Sequence, residues 1–206
     1  MGPSFSLDDF FLLDLSPRNK SLPDVSFPRA MTKYINQMKR EKVKPLAYGG
    51  YFEKRNIYQS PLFKSSLPIR DIHLAIDVWT DAHTSIYAPI DGTVFSLTYN
   101  NGILDYGYTL ILEHRIYDES FYTLYGHLGA SIIDLLQVGM NVKSGQIIGH
   151  LGEESENGGW SPHLHCQVIL NLEGNIGDFP GVCSEGKRSH YKDNCPDPTF
   201  FILPKY

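Results

Sequence analysis

The chain predicts a mainly β protein: a single antiparallel β domain with an N-terminal helical extension. Three observations carry that prediction. First, 13 Tyr and 11 Phe sit among 18 Gly and 13 Pro, a balance that favours strands and turns. Second, short apolar runs separated by turn residues recur from Ile72 onward. Third, a helical stripe of apolar residues stands out near the start, before those runs begin. A length of 206 residues suffices for one sizeable core plus an appendage. The division expected is residues 1–60 as an extension packed on the main domain, and 61–206 as that domain with a Cys-containing tail.

In chain order, residues 1 to about 25 carry Pro3, Pro17 and Pro23 and read as irregular surface chain with at most one short helix. Ser26 offers an N-cap and Pro28 suits a first helical turn. Met31, Tyr34, Ile35 and Met38 then form one stripe at i, i+3, i+4, i+7, the packing face of an amphipathic helix. Lys39, Arg40 and Lys42 favour its C-terminal end, and Pro45 stops it. Tyr48 to Tyr51 reads as a turn, and Tyr51 to Tyr58 and Pro61 to Pro68 as connecting chain.

Ile72 to Trp79 follows, with Leu74, Ile76 and Val78 on one face and His73, Ala75 and Asp77 on the other. A helix would also pair His73 with Asp77, but Ile, Val and Trp in a short run favour a strand. A straight strand puts residues i and i+4 about 13 Å apart, whereas one zinc ion needs each ligand atom at about 2 Å. Both can therefore bind one ion only if the chain bends between them. Further strands are expected at Ser85–Pro89, Gly92–Tyr99, Val138–Val142 and Gln146–Leu151. Tyr108–Glu113 and Phe121–Tyr125 form a hairpin, a short helical piece lies near Ala130–Leu136, and Lys143–Gly145 is a tight turn. Ala88–Val94 and Val142–Ile148 look like the two halves of an internal duplication.

The stretch Ser161 to Leu170 alternates with the period of a half-buried strand, His163, His165 and Gln167 on one face and Leu164, Cys166 and Val168 on the other. Residues two apart on a strand lie roughly 7 Å from each other, close enough to act around one small centre. With His73, Asp77 and His127 they make a pool of four histidines and one aspartate. A zinc hydrolase holds its metal with three side chains, leaves a fourth position for water, and needs a base and an oxyanion donor. The pool fills these roles without remainder, but spacing alone does not say which histidine takes which.

Net charge is −5 and no run of Lys and Arg marks a nucleic-acid or anionic-membrane surface. No apolar stretch approaches the roughly 20 residues of a membrane span. Met1 to Ser16 lacks a basic n-region and a long apolar run, so the expectation is a cytoplasmic protein, or a periplasmic or secreted one if a leader was trimmed. Cys166 alternates inward on the histidine strand as a small buried hydrophobe. Cys183 and Cys195 could pair in an oxidising compartment, and with His190 they make only an irregular metal set.

These residues resemble the lysostaphin/LytM-type zinc metallopeptidases. His73 to Asp77 matches that family's His-x-x-x-Asp motif, Tyr125-Gly126-His127-Leu128 its Tyr-x-His-Leu segment, and His163 to His165 its His-Leu-His strand. Ala88–Val94, Tyr106–His114 and Val138–Gly149 also look like family segments in the right order, so the likeness covers roughly residues 70–171. By resemblance, His73, Asp77 and His165 bind Zn2+, and His127 and His163 form the catalytic pair. The implied fold is the duplicated, LytM-like β domain with a groove over the metal. No catalytic position corresponds to His83, His114, His150 or His190.

Two departures stand out: an acidic loop, Glu153 to Trp160, replaces a Gly- and Thr-rich one, and Ala75 replaces a glycine. Trp160 reads as groove lining or loop anchor. Tyr48–Tyr58 and Gly177–Pro198 look like the version embedded in bacterial proteins beside phosphotransferase-like and aminotransferase-like regions. The implied activity is zinc-dependent hydrolysis of short, glycine-containing peptide bonds, peptidoglycan cross-links being the family's default, although the acidic balance weighs against a cell-wall substrate. The alternative is a catalytically idle module that binds a peptide or protein partner. A biotin- or lipoyl-carrier reading of Ala88–Val94 fails for want of a lysine at a hairpin tip.

Overall fold

The computed structural model describes residues 5–24, 28–55 and 68–202. Its strands are β1 (Phe10–Leu12), β2 (Leu46–Gly49), β3 (Ile72–His73), β4 (Ile76–Trp79), β5 (Ser85–Tyr87), β6 (Gly92–Asn100), β7 (Gly107–Ile116), β8 (Glu119–Leu128), β9 (Asn141–Val142), β10 (Ile147–His150), β11 (His163–Ile169) and β12 (Val182–Cys183). Helices are α1 (Pro28–Lys42), α2 (Ile132–Leu135), α3 (Arg188–Asn194) and α4 (Thr199–Ile202). Among the described residues one eight-stranded sheet runs β1-β2-β4-β11-β8-β7-β6-β9, with β5–β10 and β3–β12 as separate pairs. Pairing is antiparallel throughout except between β1 and β2. The fold is mainly β, with an N-terminal helix.

The centre of the sheet buries both faces. Leu110, Leu112 and Tyr125 pack with Leu128, Ile132 and Ile148 on one side. Their neighbours Ile111 and Leu124 pack with Ile169, Leu172, Phe179 and Tyr191 on the other. This is why β7 and β8 read as nearly continuous apolar runs, and both extend beyond the expected bounds to ten residues. The two similar segments meet, Gly92 of β6 standing opposite Val142 of β9, and just before the first of them β5 pairs with β10. Ala88 N–H donates to the Gln146 carbonyl and Gly145 N–H to that of Ala88, so the tight turn at Lys143–Gly145 serves this cross-pairing.

Several elements differ from expectation. Ile72 to Trp79 is two strands, not one. Leu74 N–H donates to the Gly181 carbonyl, His73 pairs with Val182, and only from Ile76 does the chain join the main sheet. The bend required for His73 and Asp77 to meet therefore exists. Leu46–Gly49 is a strand against β4 rather than the start of a turn, which begins at Gly50. The first residues include a 3-10 turn, Leu7–Asp9, and the strand β1, which three residues too short to show a period conceal in sequence. Val138–Val142 shrinks to Asn141–Val142 because the chain turns at Gly139, φ 86°. The expected cap Ser26 and most of the connecting chain after Tyr51 lie outside the described residues.

The stripe of α1 faces inward. Met31 and Ile35 are buried with Phe11, Leu13, Leu15, Ala47 and Trp79, and Tyr34 and Met38 pack at the margin. Among the described residues no helix is long and apolar enough to cross a membrane. Ile35→Ala is expected to cost about 2–5 kcal/mol, lowering the melting temperature by roughly 4 °C or more. We propose that residues 1–60 depend on this contact rather than folding apart. A chain beginning at Pro61 should melt well below the full chain, and equal melting temperatures by calorimetry would count against that division.

Candidate metal centre

Sheet order brings the candidate residues together. β11 lies between β4 and β8, with His165 opposite Asp77 on one side and Gly126 on the other. His127 follows Gly126 at the end of β8, in the left-handed region at φ 63°, unusual for a non-glycine residue. His73 reaches the same place from β3 after the bend. The strand's polar face is not half-exposed as its alternation implies. Gln167 Nε2–H donates to the Pro180 carbonyl at 3.1 Å and Tyr106 O–H to that of Phe179 at 3.1 Å, so the chain following β11 covers it. A cavity of about 160 Å³ remains, lined by all five candidates with Trp79, Trp160, Tyr106, Leu15, Met31 and Arg55 among others.

Hydrogen bonds fix which nitrogen of each histidine carries its proton. A carbonyl oxygen can only accept, so the ring nitrogen facing one must donate. His73 Nδ1–H donates to Gly50 (3.0 Å), His127 Nδ1–H to Asn157 (3.1 Å) and His163 Nδ1–H to Ser161 (2.7 Å), all to carbonyls. For His165 the partner is Gln167 Oε1, at 3.1 Å from Nε2, and the Gln167–Pro180 bond orients that amide. In its neutral form each ring turns a lone pair on its other nitrogen away from these acceptors.

Three such acceptors converge. His73 Nε2 and His165 Nδ1 are 3.2 Å apart, and Asp77 Oδ1 is 3.3 Å from each. Three donors bound tetrahedrally at zinc's 2.0–2.1 Å would stand about 3.3–3.4 Å apart. Asp77 Oδ1 is buried without a hydrogen-bond partner, an orphan that a cation at the centre of the triangle would satisfy. The donor set of two imidazoles and one carboxylate suits zinc better than magnesium or calcium. His73, Asp77 and His165 can thus hold a metal ion. His163 Nε2 stands slightly back, 3.8 Å from the same oxygen, and its ring lies 4.2 Å from that of His127, centroid to centroid.

Burial shapes the electrostatics. His73, Asp77 and His165 are only 1%, 2% and 4% exposed. Burial, then the Arg55 charge, pushes His73 down to about 4. Burial lowers His163, and burial with the neighbouring His163 and His165 lowers His127 well below the usual range. For Asp77 burial works upward, but His73 and Arg55 outweigh it and hold the carboxyl well below the ordinary carboxylate value.

Sequence reasoning missed the supports. Arg55, from a stretch that reads only as connecting chain, is buried and donates through Nη1–H to Asp77 Oδ2 at 2.6 Å. The acidic loop matters less for its charge than for Asn157, which is buried, accepts from Trp160 N–H at 2.9 Å and presents its carbonyl to His127. Trp160 both lines the cavity and anchors the loop, its Nε1–H donating to the Asp105 carbonyl at 3.2 Å. The remaining histidines lie elsewhere. His114 is buried between Asp91 and Thr123, His83 pairs with Glu153, His190 with Glu173, and His150 sits by Ser131. Cys166, Cys183 and Cys195 are buried free thiols, and burial pushes Cys166 and Cys195 up to about 12 and Cys183 up to about 11.

The chain belongs to peptidase family M23, whose sequence profile matches residues 71–175. No curated protein matches it. Similar solved structures include the catalytic domain of the antimicrobial peptidase lysostaphin from Staphylococcus simulans, at 24% identity over 59% of this chain and 80% of that one, TM-score 0.40. A mutant catalytic domain of the prophage-encoded M23 protein EnpA from Enterococcus faecalis matches at 21% identity over 66% and 89%, TM-score 0.43. The complex of SpoIIIAH and SpoIIQ provides another, at 17% identity over 70% and 92%, TM-score 0.43.

The depressed histidines make an acid response. A base whose pKa is lowered by folding binds fewer protons than the unfolded chain below about pH 6.5, so stability is full above that value and falls as pH drops. His73, His114, His127 and His163 all act in this sense, each at no more than about 1.4 kcal/mol per pH unit. Asp77, lowered likewise, adds its loss only at more acidic pH. For metal-stripped protein, urea midpoints measured from pH 7 to 4.5 should fall steadily, and His114→Gln should flatten the slope. A midpoint constant over that range would contradict the buried neutral state.

Proposed function

We propose that the chain is a zinc metalloendopeptidase that hydrolyses short, glycine-containing peptide bonds of the kind found in peptidoglycan cross-links. The observation that supports this best is the triangle of three lone-pair donors with two more neutral imidazoles beside it. Bound there, zinc supplies Lewis acidity and makes a coordinated water acidic near neutral pH. The chain's own groups do the rest. His73, Asp77 and His165 hold the ion in fixed tautomers. His127 and His163, both kept neutral by burial and both with Nδ1–H spent on a carbonyl, offer Nε2 lone pairs: one takes the attacking water's proton, and the Nε2–H so formed is the donor available to the developing oxyanion. The Trp79 ring stacks on His163 at 5.5 Å and 21°, restricting its rotation.

A second reading has one observation in its favour, the near-complete burial of all five side chains. In it the site binds a peptide or protein partner without cleaving it.

Purified protein should carry about one zinc per chain, and incubation with purified sacculi and with a small peptide library should release new amino termini. His165→Ala should lose zinc and activity together, because one of three protein bonds to the ion is gone. His163→Ala and His127→Ala should keep zinc and lose activity by on the order of a hundredfold or more. If His163→Ala releases metal as readily as His165→Ala, both histidines are ligands and the pair reduces to His127. Zinc binding without cleavage of either substrate set would favour the second reading, and no uptake of zinc would remove the first.

A further inference from the structure

The stretch Gly49 to Arg55 lies outside residues 71–175, yet it fixes two of the three candidate ligands. Gly50 supplies the carbonyl that orients His73. Arg55 is 3% exposed, and its three donor positions are divided: Nη1–H to Asp77 Oδ2 (2.6 Å), Nε–H to Glu53 Oε2 (2.7 Å) and Nη2–H to the Gly49 carbonyl (3.3 Å). Glu53 is itself held, Oε1 accepting from Leu15 N–H at 2.9 Å and its carbonyl accepting from His73 N–H at 2.9 Å. Gly50 has φ 102°, and a Cβ there would collide with the Arg55 guanidinium and come within 2.9 Å of His73 Nδ1. The backbone is shaped to leave room for that guanidinium.

We propose that Arg55 is a positioning residue for the metal site, supplied by the chain before the residues that match the family profile. This rests on reading His73, Asp77 and His165 as metal ligands. Arg55 occupies Asp77 Oδ2 and so leaves Oδ1 alone to face the two imidazole lone pairs, making the carboxylate a one-oxygen ligand with a set direction. A guanidinium placed only to neutralise a buried carboxylate would gain most by bonding both oxygens in its fork. Here the fork is shared with Glu53 and Gly49, and the oxygen aimed at the triangle stays without a hydrogen bond. Lysine keeps the charge but lacks the planar fork that reaches both carboxylates at once.

The test measures metal affinity in the full chain, stripped with a chelator, by competition between zinc and a chromophoric chelator. Visible absorption after cobalt loading reports the ligand geometry, and the melting temperature of the metal-free protein reports structure alone. Arg55→Lys and Glu53→Gln should each weaken zinc binding by about 10- to 100-fold and alter the cobalt spectrum. Arg55→Ala should lose at least as much affinity, and if it fails to fold, the other two variants decide. Wild-type zinc affinity with an unchanged cobalt spectrum in Arg55→Lys and Glu53→Gln, whatever their melting temperatures, would assign Arg55 a purely structural role and overturn the proposal. Should the unmodified chain take up neither metal, the metal-centre reading fails, and this inference with it.

Discussion

A buried carboxylate is the constraint on which the rest depends. Asp77 is 2% exposed, and an isolated ionised carboxylate at that depth would be destabilising by several kcal/mol. Arg55 compensates one oxygen. The other faces two imidazole nitrogens, 3.3 Å from each, both turned lone pair first because their rings donate elsewhere. Three electron-rich atoms at such distances repel one another unless a proton or a cation sits among them. The arrangement also ties together segments distant in sequence: the turn after β2, the bend between β3 and β4, and the centre of β11. Loosening Asp77 would therefore strain the junction of extension and sheet as well as the site.

Much of this was legible in the sequence where a period or a motif repeats a physical need. Alternation placed His163 and His165 on one face, and the distance argument at His73 and Asp77 demanded the bend that Leu74 and Ala75 provide. The striped helix identified Met31 and Ile35 as a packing face. What stayed hidden is long-range and local to single residues. Phe10–Leu12 pairs with a strand 36 positions later, Phe10 opposite Leu46, and three residues have too few turns of alternation to declare themselves. Arg55 stands beside Glu53 and Lys54, in a stretch that reads only as connecting chain. Its burial depends on a cradle formed by Gly50 and on Asp77, neither of which alters the local pattern. The alternation of β11 likewise promised a half-buried strand, since nothing within it announces that residues after Leu172 fold back over the histidines.

The two similar segments, Ala88–Val94 and Val142–Ile148, meet beside the strands that carry the site. β5 pairs with β10 and β6 with β9, and between these pairs the two segments are joined across Ala88 and Gln146. β7 and β8 are then held on one side by β6 and on the other by β11, and His127 stands at the end of β8 where the pairing with β7 shifts register. That irregularity lets a histidine occupy φ 63° and turn its ring out of the regular pleat. The cost in backbone strain, about 1–3 kcal/mol for such a conformation, is sustained by the Asn157 carbonyl on its ring and the Tyr106 carbonyl on its N–H.

The two histidines of β11 share a face but not an environment, and this is where the proposed division of roles has its physical basis. His165 lies opposite Asp77 in the strand register, so its ring projects beside the carboxylate and meets it through Nδ1. Its Nε2–H is engaged by Gln167, two residues along the same face, which leaves Nδ1 as the inward atom. His163 lies opposite Trp79 instead, and the indole stacks on its ring. Donation from Nδ1 to the carbonyl of Ser161 turns Nε2 toward the cavity, 3.8 Å from Asp77 Oδ1 and beside the ring of His127. One imidazole is thus directed at the centre of the triangle and the other along its edge. A ligand needs the first direction; a group that exchanges a proton with something held at the centre needs the second.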